Sequence, residues 1–196
     1  MLRRAGAGTP LFPAGQGWAY SNVGYLFVRR LIEEATGTDL GAALRHLLFM
    51  PLGIMGVWLA SEPADLAITA WGNDSGYHPG WVYHGLLVST PVDAALFLHR
   101  LLATSFLPAE LPDAMRARHA LGGPIAGRPW RTTGYGLGLM IDVESRHGPC
   151  FGHTGRGPGS AAAAYHFPDR DPPCTTAAFA PVEDEAIVEQ TALALP

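Results

Sequence analysis

Two short stretches of the sequence bring together side chains that could do chemistry. Tyr20-Ser21-Asn22 places a phenol and an amide on either side of a serine, where a helical pattern is about to begin. "FGHTGRGPGS", at 151–160, carries a histidine and a threonine and then runs into glycines, which let a ligand approach closely. A strand edge of this kind can pair with an extended substrate while His153 and Thr154 reach its carboxylate.

Both stretches also have purely structural interpretations. Ser21 or Asn22 could cap the helix that follows, with Tyr20 as a core aromatic. Residues 151–160 could be the end of a strand followed by a glycine-rich turn. Taken alone, the stretch over 151–160 favours the structural interpretation.

The composition excludes several other kinds of function. The chain has 196 residues, of which 48% are hydrophobic and 15% charged, enough for one domain with a sizeable core. Its net charge of -4, without runs of like charge, gives no reason to expect nucleic acid as a partner. All 13 cationic side chains are arginines, so any mechanism that needs a titrating lysine within this chain is excluded.

The sequence predicts no metal site, no cofactor and no membrane segment. His78 and His84 are separated by a loop rich in Gly and Pro, and neither HExxH nor HxH occurs. Cys150 and Cys174 match neither a CxxC pair nor a zinc ligand set, so we interpret both as buried small apolar residues. The longest uncharged stretch, 47–60, is too short to span a bilayer.

Periodicity predicts helices first and strands afterwards. Helices are expected over 23–37, over 40–50, from Thr90 through Leu102, and near 112–118. Strands are expected over 137–143, 150–153, 161–167 and 175–179, followed by a closing helix over 182–195.

Residues 61–90 show neither helical nor strand periodicity and predict a long ordered loop, in which aromatic residues could line a cleft. The order of elements indicates an α+β domain, or an α/β domain that has lost its beginning. We expect a helical lobe over about 10–120 and a sheet with its C-terminal helix over about 130–196.

Together the two stretches resemble a known superfamily. Tyr20-Ser21-Asn22 looks like the second motif, Tyr-x-Asn, and His153-Thr154-Gly155 like the third, Lys/His-x-Gly, of the serine β-lactamases and penicillin-binding proteins. The likeness is to the branch of class C β-lactamases, D-alanyl-D-alanine carboxypeptidases and esterases. Further segments resemble the family in its own order: "FPAGQGWAYSNVGYLFVRRLIEEATG", "LFMPLGIMGVWLA", "GLLVSTPVDAALFL" and "YGLGLMIDV". The resemblance implies a β-lactamase/transpeptidase-like fold, with a helical lobe and an antiparallel sheet.

The resemblance also implies roles for two catalytic residues. Tyr20 would be the general acid or base that moves the proton of the nucleophile. His153 would take the place that Lys usually holds in the third motif. Because histidine titrates near neutral pH, recognition of charge at this position should depend on pH more than in a Lys-containing relative.

Four further residues are implied in substrate binding. Asn22 would hydrogen-bond the acyl side chain of the substrate, and Thr154 would help to bind its carboxylate. Gly155 completes the third motif, and the backbone N–H of Arg156 would donate to an oxyanion, a role for which its side chain is irrelevant. The substrate would be a small molecule or a peptide.

The sequence departs from the family in one major respect. Covalent catalysis in this family needs a Ser-x-x-Lys before Tyr-x-Asn, and a chain without lysine cannot contain it. Only 19 residues precede Tyr20. We therefore expect the C-terminal portion of a hydrolase that acts on β-lactams, D-Ala-D-Ala peptides or esters through an acyl-serine intermediate, inactive as this chain alone.

Two consequences and one alternative follow from an incomplete domain. Apolar surface and an unpaired strand edge, along 175–179, should be exposed and should promote self-association. The alternative function is that of a non-catalytic binding module, or a remnant, that keeps the ligand cleft without turnover.

Overall fold

The computed structural model of the protein describes residues 9–73 and 76–194. The first part of the chain is mainly helical. Its α-helices are α1 (Asn22–Thr36), α2 (Leu40–Leu44), α3 (Pro63–Ala67), α4 (Pro91–Ala103) and α5 (Glu110–Arg116). A π-helical turn, Arg45–Phe49, continues α2, so the predicted helix over 40–50 is confirmed with a wider last turn.

Local hydrogen bonds explain where α1 and α4 begin. The Ser21 side chain accepts the backbone N–H of Gly24 at 3.0 Å, so Ser21 is the cap of α1 and Asn22 is its first residue. Thr90 caps α4 in the same way by accepting the N–H of Asp93 at 3.0 Å. The capping role thus falls to Ser21, and the amide of Asn22 is not used for it.

The predicted long loop over 61–90 is more structured than expected. It contains α3, a 3₁₀ turn at Pro79–Trp81, and strand β2 (Leu86–Val88), which pairs antiparallel with β1 (Trp58–Ala60). These elements were missed because each is only three to five residues long, too short to develop a periodic pattern.

The second part of the chain forms an antiparallel sheet in which neighbouring strands follow chain order. Its strands are β3 (His119–Gly122), β4 (Thr133–Tyr135), β5 (Met140–Asp142), β6 (Cys150–Gly157), β7 (Ser160–Phe167) and β8 (Cys174–Ala180). Helix α6 (Glu185–Ala194) follows. The sheet therefore begins at β3, earlier than the expected boundary near 130, because β3 and β4 are short and lie on either side of a Gly- and Pro-rich stretch.

The alternation expected over 137–143 is wrong at both ends. Only Met140–Asp142 is strand, and Leu137 and Val143 are exposed. Asp142, the last residue of this strand, is fully buried. Its carboxylate accepts the backbone N–H groups of Arg131 at 2.8 Å and Thr132 at 3.1 Å, which offset the cost of burying a charge.

Helices cover both faces of the sheet, and β7 separates them. The odd-numbered residues of β7, such as Ala163 and Tyr165, share a core cluster with Val188 and Leu193 of α6. On the other face Ala164 packs against a cluster that includes Leu98 of α4. Cys150 is buried as expected, Cys174 is only partly buried, and both are free thiols.

The sheet ends at an open edge. Within the described residues β8 pairs only with β7, so the edge predicted along 175–179 is confirmed. Helix α1 contains no buried residue, and Phe27, Val28 and Leu31 on it are exposed. Among the described residues no helix is both long and apolar enough to cross a membrane.

A buried histidine at the interface of α4 and the sheet predicts loss of stability in acid. His166 is 1% exposed and its Nδ1 lies 2.8 Å from Thr175 Oγ1, to which His99 Nδ1 also bonds at 3.1 Å. Burial, with help from His99 and Arg116, lowers the pKa of His166 from 6.5 to about 4. The unfolded chain therefore binds the proton first, and stability falls as the pH drops from about 6.5 towards 4.

We expect the free energy of unfolding in urea to fall by up to about 3 kcal/mol over this window on account of His166. In His166→Gln the decrease between pH 7 and pH 4.5 should be smaller, because the titrating group is gone. His119→Gln, at an exposed position on β3, serves as the control and should keep the full decrease. Equal pH dependence in His166→Gln and the wild type would contradict the prediction.

Candidate active site

A cleft of about 1610 Å³ lies where the helical part meets the sheet. All the site residues predicted from the sequence line it: Tyr20, Asn22, His153, Thr154, Gly155 and Arg156. The aromatic residues of 61–90 contribute a further wall: Trp71, Tyr77, Trp81, Tyr83 and His84. The first turn of α1 and strand β6, far apart in sequence, therefore face one cavity.

Strand β6 presents an open edge to this cleft. β5 pairs with β6 only over Cys150 to Gly152, whereas β7 pairs with it as far as Gly157. A methyl group at Gly155 or Gly157 would meet no atom within 4 Å. The glycines expected in a turn thus belong to the strand, and only Pro158 and Gly159 form the turn. The free edge can take an extended substrate as an added strand.

Tyr20 lies at the mouth of the cleft and keeps its proton. Its side chain is 53% exposed, and its ring centroid lies 6.0 Å from that of Tyr25 and 6.4 Å from that of Tyr135. Partial burial, followed by the nearby Tyr25 and Glu185, raises the pKa of Tyr20 above its usual value. The phenol can donate a hydrogen bond, but it needs another group to take its proton before it can act as a base.

His153 is held at both ring nitrogens. Its Nε2 lies 2.7 Å from the Tyr135 hydroxyl and its Nδ1 lies 2.6 Å from the carbonyl oxygen of Thr154. Burial lowers the pKa of His153, against smaller upward effects of Thr154, Glu185 and Glu189. Burial therefore favours the neutral imidazole and moves the gain of charge expected at this position towards more acidic pH.

The hydroxyl of Thr154 bonds to the protein interior. Thr154 is buried, and its Oγ1 donates to Glu189 Oε1 at 2.7 Å and shares a short hydrogen bond with the Tyr165 hydroxyl. The expected contact of this hydroxyl with a substrate carboxylate is not available in this arrangement. Thr154 lines the cleft while its side chain anchors the strand.

The charges that line the cleft leave Arg156 as its available cation. Arg128 forms ion pairs with Glu185 at 2.7 Å and with Glu189, whereas Arg156 forms no ion pair within the described residues. The side chain of Arg156, which sequence reasoning set aside, is thus free to meet an anionic group. No cluster of three or more His, Cys, Asp or Glu residues able to hold a metal ion occurs in the part of the chain that the structure describes.

Comparison with protein families identifies the family of the chain that forms this cleft. The sequence model of the family described as Beta-lactamase matches residues 1–184. The chain belongs to the beta-lactamase family. A comparison with curated proteins gave no match.

Solved structures agree in fold with this family member. A D-stereospecific amidohydrolase from Streptomyces sp. is 22% identical with a TM-score of 0.70, over 94% of this chain and 56% of its own. A D-amino acid amidase from Ochrobactrum anthropi SV3 is 24% identical with a TM-score of 0.64, over 84% and 50%. The octameric penicillin-binding protein homologue from Pyrococcus abyssi is 19% identical with a TM-score of 0.72, over 94% and 44%.

These likenesses confirm the β-lactamase/transpeptidase-like fold expected from the sequence. This chain spans about half the length of each of these neighbours.

Beneath the cleft of this beta-lactamase family member lies a buried carboxylate that sequence reasoning missed. Glu189 of α6 is fully buried. It accepts the indole N–H of Trp130 at 3.0 Å and the Thr154 hydroxyl, and both its oxygens bond the guanidinium of Arg128. The charge is thereby paired and its lone pairs are used, as a buried ion requires. Arg128 and Glu189 are 61 residues apart, so no local pattern could reveal the pair.

Two tyrosines were also missed as parts of the site. Tyr25 and Tyr135 line the cleft, and their hydroxyl oxygens lie 3.0 Å apart. Tyr25 ends the stretch "WAYSNVGY", and Tyr135 begins the segment "YGLGLMIDV" that carried the family resemblance. Each lay within a segment that resembles the family, but the resemblance assigned it no role.

The buried ion pair predicts unequal effects for two substitutions on α6. Glu189→Gln should lower the free energy of unfolding by about 3 kcal/mol or more, because it leaves the Arg128 guanidinium without its buried partner. Glu185→Gln removes the partly exposed partner of the same arginine and should cost less than about 1 kcal/mol. Urea unfolding at pH 7.5 measures both. Similar decreases in the free energy of unfolding for the two variants would contradict a dominant role of Glu189 in this group of hydrogen bonds.

Proposed function

We propose that this chain forms the Tyr-x-Asn and His-x-Gly walls of a serine hydrolase site that hydrolyses β-lactams, D-Ala-D-Ala peptides or carboxylic esters through an acyl-serine intermediate, without a cofactor. The proposal rests on one observation. Tyr20, Asn22 and His153 line the same cleft, together with the open edge of β6. Membership of the beta-lactamase family supports the reaction class.

The nucleophile is proposed to come from outside these 196 residues. The family mechanism uses a Ser-x-x-Lys, and the sequence contains no lysine. The phenol of Tyr20 keeps its proton and has no nucleophilic serine paired with a lysine to activate. The chain alone is therefore proposed to be inactive.

The cleft favours an extended substrate that carries an anionic group. The free edge of β6 offers backbone hydrogen bonds over five residues, His153 to Gly157. With His153 neutral and the Thr154 hydroxyl bonded to Glu189, we assign recognition of a substrate carboxylate to the Arg156 side chain. Because two solved neighbours are named as hydrolases of D-amino acid amides or of D-configured substrates, D-amino acid amides join the substrates to be tested.

The test combines the intact mass of the native protein with covalent labelling. The protein is isolated from the cells that make it, weighed by mass spectrometry and incubated with a fluorescent penicillin and a fluorophosphonate. We expect a mass above that of the 196-residue chain, a labelled serine outside this sequence, and no label on the recombinant chain. A site-directed variant of the labelled serine is the matched control and should take up neither probe.

Two results would contradict the proposal, the first its reaction class and the second the source of its nucleophile. A native mass equal to Met1 through Pro196, without label, excludes acyl-serine catalysis and leaves the alternative, a binding module that keeps the cleft without turnover. Labelling of the recombinant chain itself would contradict the external nucleophile. Binding of N-acetyl-D-Ala-D-Ala to the unlabelled chain, measured by calorimetry, identifies the binding module.

The chain alone is also proposed to self-associate. Phe27, Val28 and Leu31 are 40%, 47% and 64% exposed on α1, and β8 ends the sheet with an open edge. One solved neighbour is described as octameric.

We expect light scattering of the chain to give a mass above that of a monomer and a hydrophobic dye to bind to it. Leu31→Glu should weaken both signals, because it places a charge on the apolar face of α1. Glu34→Gln, at a polar position of the same helix, is the control and should leave them unchanged. A monodisperse wild-type monomer that binds no dye would contradict the proposal.

A further inference from the structure

A chain of hydrogen bonds connects helix α1 to strand β6 through strand β4. The hydroxyl oxygens of Tyr25 and Tyr135 lie 3.0 Å apart. The Tyr135 hydroxyl lies 2.7 Å from Nε2 of His153, and Nδ1 of His153 lies 2.6 Å from the carbonyl oxygen of Thr154. Four groups from three elements are thus in continuous contact, and Tyr25, Tyr135 and His153 all line the cleft.

The chemistry of these groups fixes the direction of every hydrogen bond in the chain. The Thr154 carbonyl can only accept, so Nδ1 of His153 carries a hydrogen and donates it. A neutral imidazole has one N–H, so Nε2 accepts and the Tyr135 hydroxyl must donate to it. Having given its hydrogen to His153, the Tyr135 oxygen accepts the hydrogen of Tyr25. All hydrogens therefore point towards His153, and the oxygen of Tyr25 can accept one more from the cleft.

We propose that Tyr25 and Tyr135 relay a proton from a hydroxyl in the cleft to Nε2 of His153, so that His153 is the proton acceptor of the site and Tyr135 is the residue that positions it. This inference rests on the proposed hydrolase function, which supplies the reacting hydroxyl. The O–H bond of that hydroxyl breaks and its electron pair stays on the oxygen. Its proton joins Tyr25, the proton of Tyr25 joins Tyr135, and the proton of Tyr135 joins Nε2, so both phenols end neutral and the imidazole ends as imidazolium.

The surroundings of His153 suit a base that is neutral at rest. The resting imidazole is neutral because burial lowers the pKa of His153. Once the ring is protonated, the negative charges of Glu185 and Glu189 on α6 favour the imidazolium electrostatically, although Arg128 pairs with both of them. Its Nδ1–H remains on the Thr154 carbonyl throughout.

Tyr20 is less suited to accept the proton. Among the described residues it makes no side-chain hydrogen bond to a base, and its pKa is raised. Tyr20 can orient or donate to the reacting group, while Tyr25, 6.0 Å away between ring centroids, begins the path by which the proton leaves. The relay thus offers the proton a route to His153 that does not require an ionised Tyr20.

The chain of hydrogen bonds can be tested without substrate. Nitrogen NMR of the protein labelled with ¹⁵N-histidine should find His153 as the Nδ1–H tautomer at neutral pH. Tyr135→Phe removes the donor to Nε2, which destabilises the neutral ring, so the titration midpoint of His153 should rise by about 0.5–1 pH unit. The aromatic ring is kept, which preserves packing against Trp18 and His153.

Tyr25→Phe supplies the decisive comparison because Tyr25 does not bond to His153. If the hydroxyls are coupled, losing the hydrogen bond from Tyr25 makes Tyr135 a weaker donor and raises the His153 midpoint by a few tenths of a unit. The double variant should match Tyr135→Phe alone. The exposed His119 of β3, which lies outside this chain of hydrogen bonds, is the internal reference, and its NMR signals should be the same in all proteins.

Several results would overturn the inference. An Nε2–H tautomer in the wild type, which needs no variant, refutes the direction of the chain. An unchanged His153 midpoint in Tyr135→Phe refutes the bond to Tyr135, and an unchanged midpoint in Tyr25→Phe refutes coupling through both hydroxyls. Absence of any acyl-enzyme in the labelling experiment would sink the proposed hydrolase while leaving these NMR results as they are, so the two failures are distinguishable.

Proton transfer itself is tested in the native hydrolase proposed above. Tyr25→Phe and Tyr135→Phe should each slow acylation by a fluorescent penicillin by about 10²-fold, and the double variant should be no slower than the worse single variant. The acid limb of the pH–rate profile should move up in step with the His153 midpoint. A loss of rate with an unmoved acid limb would indicate a structural role and overturn the relay, as would unchanged rates.

Discussion

The cleft depends on one buried negative charge. The carboxylate of Glu189 has no contact with solvent, and a charge in that position is tolerated only when donors surround it. Those donors come from Arg128 and Trp130, in the segment before β4, and from Thr154 of β6, so satisfying one carboxylate brings two separate parts of the chain together around α6. Because side chains alternate along a strand, holding Thr154 on the side of α6 turns His153 towards Tyr135.

Local patterns in the sequence were sufficient for the long elements and the two motifs. The apolar spacing of α1 and α4, with their capping serine and threonine, predicted both helices because their hydrogen bonds are local. Strands β6 to β8 were found because each is at least seven residues long and bounded by turn residues. Tyr20, Asn22 and His153 were found because each belongs to a motif of three consecutive residues.

What the sequence could not reveal depends on contacts between distant residues. The hydrogen bond of Tyr25 to Tyr135 joins positions 110 apart, and that of Thr154 to Glu189 joins positions 35 apart. Nothing in a single sequence marks one tyrosine or glutamate as the partner of another. The same limit applies to the pKa of His153, which was expected to lie near neutrality. Its burial lowers the pKa, and that burial is a property of the packed sheet and not of the motif.

The difference in length between β5 and β6 has a consequence for what the cleft can hold. β6 continues for five residues, His153 to Gly157, after its pairing with β5 has ended. At about 3.4 Å per residue, this gives an edge of roughly 17 Å. Backbone pairing can therefore register about five residues of a bound chain before the Pro158-Gly159 turn closes the strand. The unpaired length of β6 thus limits how many residues of a bound chain can pair with it. A longer chain would extend past the β6–β7 hairpin without further backbone pairing to β6.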